Sequence, residues 1–152
     1  MKMDKRDLVE VLTAELEFFE RGGYARSLGE SWRPPLIFED SPSCANFDCR
    51  QRQVACEDCV LAQMAPPEFR SAQIPCRRIS LTACGESLED LYRTGTSQEI
   101  EEAVVAWLRA TIQNLETERS ADRAGVFVPS CRGRSDLKHE TTNAIALPAE
   151  GI

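Results

Sequence analysis

The sequence predicts a mainly α-helical protein: two long amphipathic helices packed together, a loop-rich cysteine module folded against them, and a flexible C-terminal tail. Three observations predict it. Apolar residues recur at three- and four-residue steps near the N-terminus and again after residue 96, the period of a helix buried along one face. Between those stretches, prolines at 34, 35, 66, 67 and 75 forbid continuous helix, because proline has no amide donor and clashes with the preceding turn. Within the same interval lie six of the seven cysteines, at 44, 49, 56, 59, 76 and 84, the last standing apart at 131.

The first helix is expected from Asp4, a good N-cap, with Leu8, Val11 or Leu12, Leu16 and Phe19 forming its apolar stripe. Gly22 and Gly23 end it. Residues 24–43, YARSLGESWRPPLIFEDSPS, read as an extended strap, since a proline pushes its predecessor towards extended geometry. Trp32, Leu36, Ile37 and Phe38 are too apolar for a free linker; they pin the strap across the helices or dock it on a partner. The cysteine module, 44–84, carries a short helix at 57–64 and an irregular connection through its prolines. Ser87 caps a short helix that Gly95 stops. Thr96 and Glu99 form a capping box opening the longest helix, about 97–119, with Ile100, Val104, Trp107, Leu108, Thr111 or Ile112, and Leu115 on its apolar face, Trp107 and Leu108 at the buried centre. That helix fades between Glu118 and Arg123. After Gly125, VFVP reads as a short edge strand closed by proline, and residues 130–152 have no apolar period with which to offset the entropy of ordering. The expected organisation is one helical domain over 1–123, including the module, and an extended or disordered tail over 124–152.

Composition narrows the function. A hydrophobic fraction of 42% and a charged fraction of 28% are those of a globular protein, and no apolar run approaches the length of a membrane crossing. The N-terminal residues lack the continuous apolar stretch of a secretory signal, so a cytoplasmic location is expected. In a reducing compartment crowded thiols serve as metal ligands or redox groups more often than as disulfides, and seven is an odd number for a disulfide framework. The net charge of -7 is unevenly placed. Residues 86–118 hold eight carboxylates against Arg93 and Arg109, whereas residues 44–84 hold five arginines against four carboxylates. An acidic chain lacks the broad positive field that attracts nucleic acid, so nucleic acid is not the expected partner.

The cysteines run C-x4-C-x6-C-x2-C-x16-C-x7-C. Cys56 and Cys59 anchor the reading, since a C-x2-C pair brings two sulfurs to one metal in a tight turn. A tetrahedral zinc site then needs two further donors. Cys76, seventeen residues on, and Cys44, twelve residues before, supply them, with Cys49 as a substitute for Cys44. Zinc is the first expectation and an iron–sulfur cluster the alternative, because both use the same four thiolates and carry the same net charge with them. Arg50, Arg52, Arg77 and Arg78 stand ready to offset that charge. The sole histidine, His139, falls in the tail and reads as solvated.

A redox dithiol at Cys56-Glu-Asp-Cys59 is disfavoured by the two carboxylates between the sulfurs, which would repel a thiolate. Neither a phosphate-cradling glycine loop nor an H-E-x-x-H motif occurs, and the paired carboxylates Glu101–Glu102 and Glu89–Asp90 point apart on a helix. No catalytic residue is assigned. The expected function is that of a metal-binding accessory subunit whose tetracysteine site is structural, acting with a protein partner or as a homo-oligomer; electron transfer or redox sensing is the alternative.

Overall fold

The computed structural model describes residues 2–27 and 34–125. The described part is mainly helical and contains no strand, only an isolated bridge between Ser80 and Ser87. Helix α1 spans Leu8–Glu20, α2 Gly23–Ser27, α3 Leu88–Thr94 and α4 Ser97–Ala124. Trp32, the VFVP segment, Cys131, His139 and all of the tail beyond Gly125 lie outside the described residues.

Helix α1 begins later than its sequence suggests. Its cap is Asp7, whose carboxylate accepts from the Glu10 amide, while Asp4 is drawn off to the cysteine module. At its end Gly22 takes a positive φ of 68°, as expected of a terminating glycine, but Gly23 opens α2 rather than a strap. Residues 24–27 are thus helical, and the extended reading of 24–43 is corrected there. The local reason is Tyr24, which a helical turn places against Phe18 and Phe19, with ring centroids 4.8 and 4.7 Å away.

Between α2 and α3 the chain folds as turns. The expected helix at 57–64 is two 3-10 turns, Cys56–Asp58 and Val60–Met64, and two more, Pro67–Phe69 and Pro75–Arg78, begin on prolines whose missing amides a first turn does not need. Both capping boxes form: Ser87 with Asp90 at α3, Thr96 with Glu99 at α4. Helix α4 runs past the expected fade to Ala124, where Gly125 at φ 65° closes it.

The core lies where α1 and α4 meet and where the turns fold under them. Leu12, Val104 and Leu108 are fully buried, together with Phe38, Leu61, Ile79 and Leu88 from the intervening segments. Trp107, expected at the buried centre, is only partly buried and meets Phe38 edge-on at 6.2 Å. Arg109 with Glu20 and Arg119 with Asp7 pair α4 to the two ends of α1.

One buried residue breaks the apolar pattern. Glu15, on the inner face of α1 and 0% exposed, accepts hydrogen bonds from the hydroxyls of Tyr24, Ser41 and Ser43. Tyr24 Oη in turn accepts from the Phe38 amide, at 2.9 Å. Phe38 has a φ of 66°, a cost of about 1–3 kcal/mol for a side-chain-bearing residue, and this bond with the full burial of its ring holds it there.

Leu108→Ala should destabilise the chain by about 2–5 kcal/mol, because the cavity opens in the middle of the α1–α4 contact. Gln113→Ala, exposed on the same helix, should stay within about 0.5 kcal/mol, and urea denaturation of both variants checks the contrast.

Candidate metal centre

Three separate stretches of chain bring four cysteines to one place. Cys44 follows the 36–43 turn, Cys56 and Cys59 flank a 3-10 turn, and Cys76 sits in the turn Pro75–Arg78. All four line one cavity of about 260 Å³. Leu36, Phe38, Leu61, Ala62, Ile74 and Pro75 form its apolar wall, and Glu39, Asp40, Asn46 and Arg52 its polar margin. Among the described residues no three Cys, His, Asp or Glu side chains converge on a point where a single metal ion could bind. The six described cysteines are free thiols.

The four positions expected from spacing are therefore those the fold assembles around one space. Cys49, the substitute for Cys44, is exposed and does not line the cavity. The reason is Asn46: its side chain donates to the Val54 carbonyl and accepts from the amides of Gln53 and Val54, closing a loop that carries Cys49 outward. Cys84 is likewise exposed, beside the turn at Gly85.

An N-terminal arm staples the cysteine segments together. The Lys2 amide donates to the Gln53 carbonyl and the Asp4 amide to that of Asp58, at 3.1 Å each. The Asp4 carboxylate accepts from the Val60 amide, next to Cys59, and from the Arg6 guanidinium. Arg6 also donates to the carbonyls of Pro42 and Ser43, next to Cys44. One ion pair thus spans both sides of the cysteine cluster.

This pair was not legible in the sequence, where Asp4 reads as a helix cap and Arg6 lies far from any cysteine. Of the four arginines expected at the site, Arg52 lines the cavity and Arg77 forms a two-pronged bond to Glu39, at 2.7 and 2.9 Å. Arg78 turns to Glu89 and lies over the Phe69 ring, and Arg50 is exposed outside the lining.

Burial raises the pKa of the Cys44, Cys59 and Cys76 thiols, and nearby negative groups raise it further; Cys76, beside Glu39 and the other three thiols, is affected most. Opposing this, the backbone amides of Asn46 and Leu61, each two residues on, pull the Cys44 and Cys59 thiols back down. As bare thiols these groups stay protonated at neutral pH, which is unsuited to nucleophilic or dithiol chemistry. A bound metal would displace the protons, and the same amides would then stabilise metal-bound thiolates.

Comparison with known proteins finds no matching family model, no similar curated protein and no similar solved structure. No described helix is long and apolar enough to cross a membrane.

The Asp4–Arg6 staple has a pH signature. The Arg6 guanidinium, and secondarily the Val60 and Arg6 amides, hold the Asp4 carboxyl at about 2, against an ordinary 3.8. A depressed carboxyl stabilises the fold above its ordinary value and loses that contribution as pH falls through its folded one. Asp4→Asn should therefore be less stable than the native chain at neutral pH, and the gap should shrink as pH falls from 3.8 towards 2. Denaturation midpoints of both proteins across that range test this; a constant gap would contradict the assignment.

Proposed function

We propose that this chain is a metal-binding accessory protein in which Cys44, Cys56, Cys59 and Cys76 ligate one metal centre. That centre ties down the strandless region between α2 and α3 and so shapes a surface for a protein partner or a second copy. The reading is carried by one observation: four cysteines from three segments of chain line a single cavity. Segments of 3-10 turn and loop have few hydrogen bonds of their own, so a multidentate centre is an economical way to hold them. The partner surface is supported by Phe47 and Phe69, each 38% exposed, on the module.

Zinc and an iron–sulfur cluster share this ligand set, and each would be held by the same four side chains. When bound, the centre supplies cross-linking of the loops; Arg6, Arg52 and Arg77 supply positive charge against its thiolates.

Serine at Cys56 or Cys59 should abolish metal content and loosen residues 44–84, whereas serine at Cys49, Cys84 or Cys131 should leave metal content intact. Elemental analysis of the purified variants, with hydrogen exchange across 44–84, is the measurement. Equal metal content in all five would overturn the proposal.

A further inference from the structure

Cys44, Cys56, Cys59 and Cys76 stand on turns rather than on α-helices or strands, so their register is set by whatever fastens one turn to another. Cys56 and Cys59 are fastened locally, the Cys59 amide donating to the Cys56 carbonyl at 3.3 Å. The Cys44 amide, by contrast, donates to the Ser41 carbonyl inside its own turn. Among the described residues no backbone hydrogen bond joins 41–44 to 56–60.

Arg6 makes that join from outside both turns. Its Nε and Nη2 donate to the two carboxylate oxygens of Asp4, at 2.9 and 2.8 Å, and its Nη1 and Nη2 to the carbonyls of Pro42 and Ser43, at 3.3 and 2.9 Å. Asp4 in turn accepts from the Val60 amide at 3.2 Å and donates its own amide to the Asp58 carbonyl at 3.1 Å, so the residues on either side of Cys59 are both held. The Asp4 side chain is only 3% exposed. A lysine at position 6 would carry the charge without the geometry, since an ammonium is a compact point with three donors and a guanidinium a rigid fork with five. The guanidinium also lies within electrostatic reach of two of the sulfurs: the Asp4 bonds raise its pKa first, and Cys59 and Cys44 raise it further.

We infer that Arg6 is the positioning residue of the metal centre: gripped by Asp4, its guanidinium fixes the turn that carries Cys44 against the turn that carries Cys59, so metal affinity depends on its fork and not on its charge alone. The inference rests on the metal-centre reading above and names the residue that sets the register of its ligands. Groups that orient metal ligands without touching the metal control affinity in this way, because ligands already in register lose less freedom on binding. By linkage the dependence runs in both directions. A metal that joins Cys44 to Cys59 also tightens residues 2–6 on the module, through the amides of Lys2 and Asp4.

The test uses the full chain, reduced and stripped of metal, with cobalt(II) as the probe and a competing chelator to give the dissociation constant at a temperature where every variant is folded. Arg6→Lys should bind cobalt about 10- to 100-fold more weakly than the native chain, and Arg6→Gln at least as weakly. Leu108→Ala, destabilised far from the cysteines, should keep the native constant. In the native chain cobalt should slow hydrogen exchange at the Lys2 and Asp4 amides. Native affinity in Arg6→Lys, or an equal loss in Leu108→Ala, overturns the positioning role and leaves the metal centre standing. Should Arg6→Lys fail to fold, the native chain decides, since cobalt that binds without slowing exchange at Lys2 and Asp4 also overturns it. A native chain that binds cobalt no more tightly than the Cys56→Ser,Cys59→Ser double variant overturns the metal centre and this inference with it.

Discussion

The buried carboxylate of Glu15 is the point on which the arrangement hangs. A carboxyl group at 0% exposure is costly unless its polar atoms are satisfied, and here the hydroxyls of Tyr24, Ser41 and Ser43 converge on it. Each donor commits a segment. Tyr24 brings α2 back onto α1, Ser41 and Ser43 bring in the turn that leads to Cys44, and Tyr24 Oη also captures the amide of Phe38. An apolar residue at position 15 could fill the volume but could not specify which turn arrives or in what register. Hydrogen bonds are directional where apolar contact is not, so this residue fixes the approach of the cysteine-bearing chain to a helix that would otherwise accept many.

Charge is arranged around the cysteines on the same plan. The chain is acidic, at -7, yet Arg52 lines the cavity, Arg6 stands near Cys44 and Cys59, and Arg77 near Cys76. Arg6 and Arg77 are each already paired, to Asp4 and Glu39, and so are held in place rather than left to swing in solvent. A preorganised guanidinium offsets developing negative charge on thiolates without paying for its own ordering at the moment of binding. Burial, and then Glu39 and the neighbouring thiols, act in the other direction and keep the Cys76 thiol protonated.

The module has little else to hold it. Between Ala45 and Arg78 the backbone bonds internal to the segment are turn bonds, closing three-residue loops, while Val60, Leu61 and Ala65 pack into the core with the helices. Its outer side, with Phe47, Phe69 and Cys49, is exposed. Such a layer is ordered from beneath by packing and across its width by the arm of Lys2, Asp4 and Arg6. The helical half stands on a different footing, since α3 and α4 are each fixed by a capping box and by an apolar stripe on the same face.

What the sequence alone determined is what local periodicity and spacing encode. The capping boxes at Ser87 and Thr96, the stripe through Val104 and Leu108, the helix-ending glycines and the grouping of Cys44, Cys56, Cys59 and Cys76 all depend on residues a few positions apart or on thiols close enough in the chain to meet. Tertiary structure alone decided the rest. That Asp4 leaves its helix to clasp Arg6 and Val60, that Glu15 on an apolar face is satisfied by hydroxyls up to 28 residues away, and that Asn46 swings Cys49 outward are consequences of partners brought together only by folding. The cysteine cavity belongs with these. Spacing can say which sulfurs are able to meet, but the cavity they line is walled by Leu36, Phe38, Leu61 and Ile74 from other segments, and close packing at long range leaves no period in a sequence.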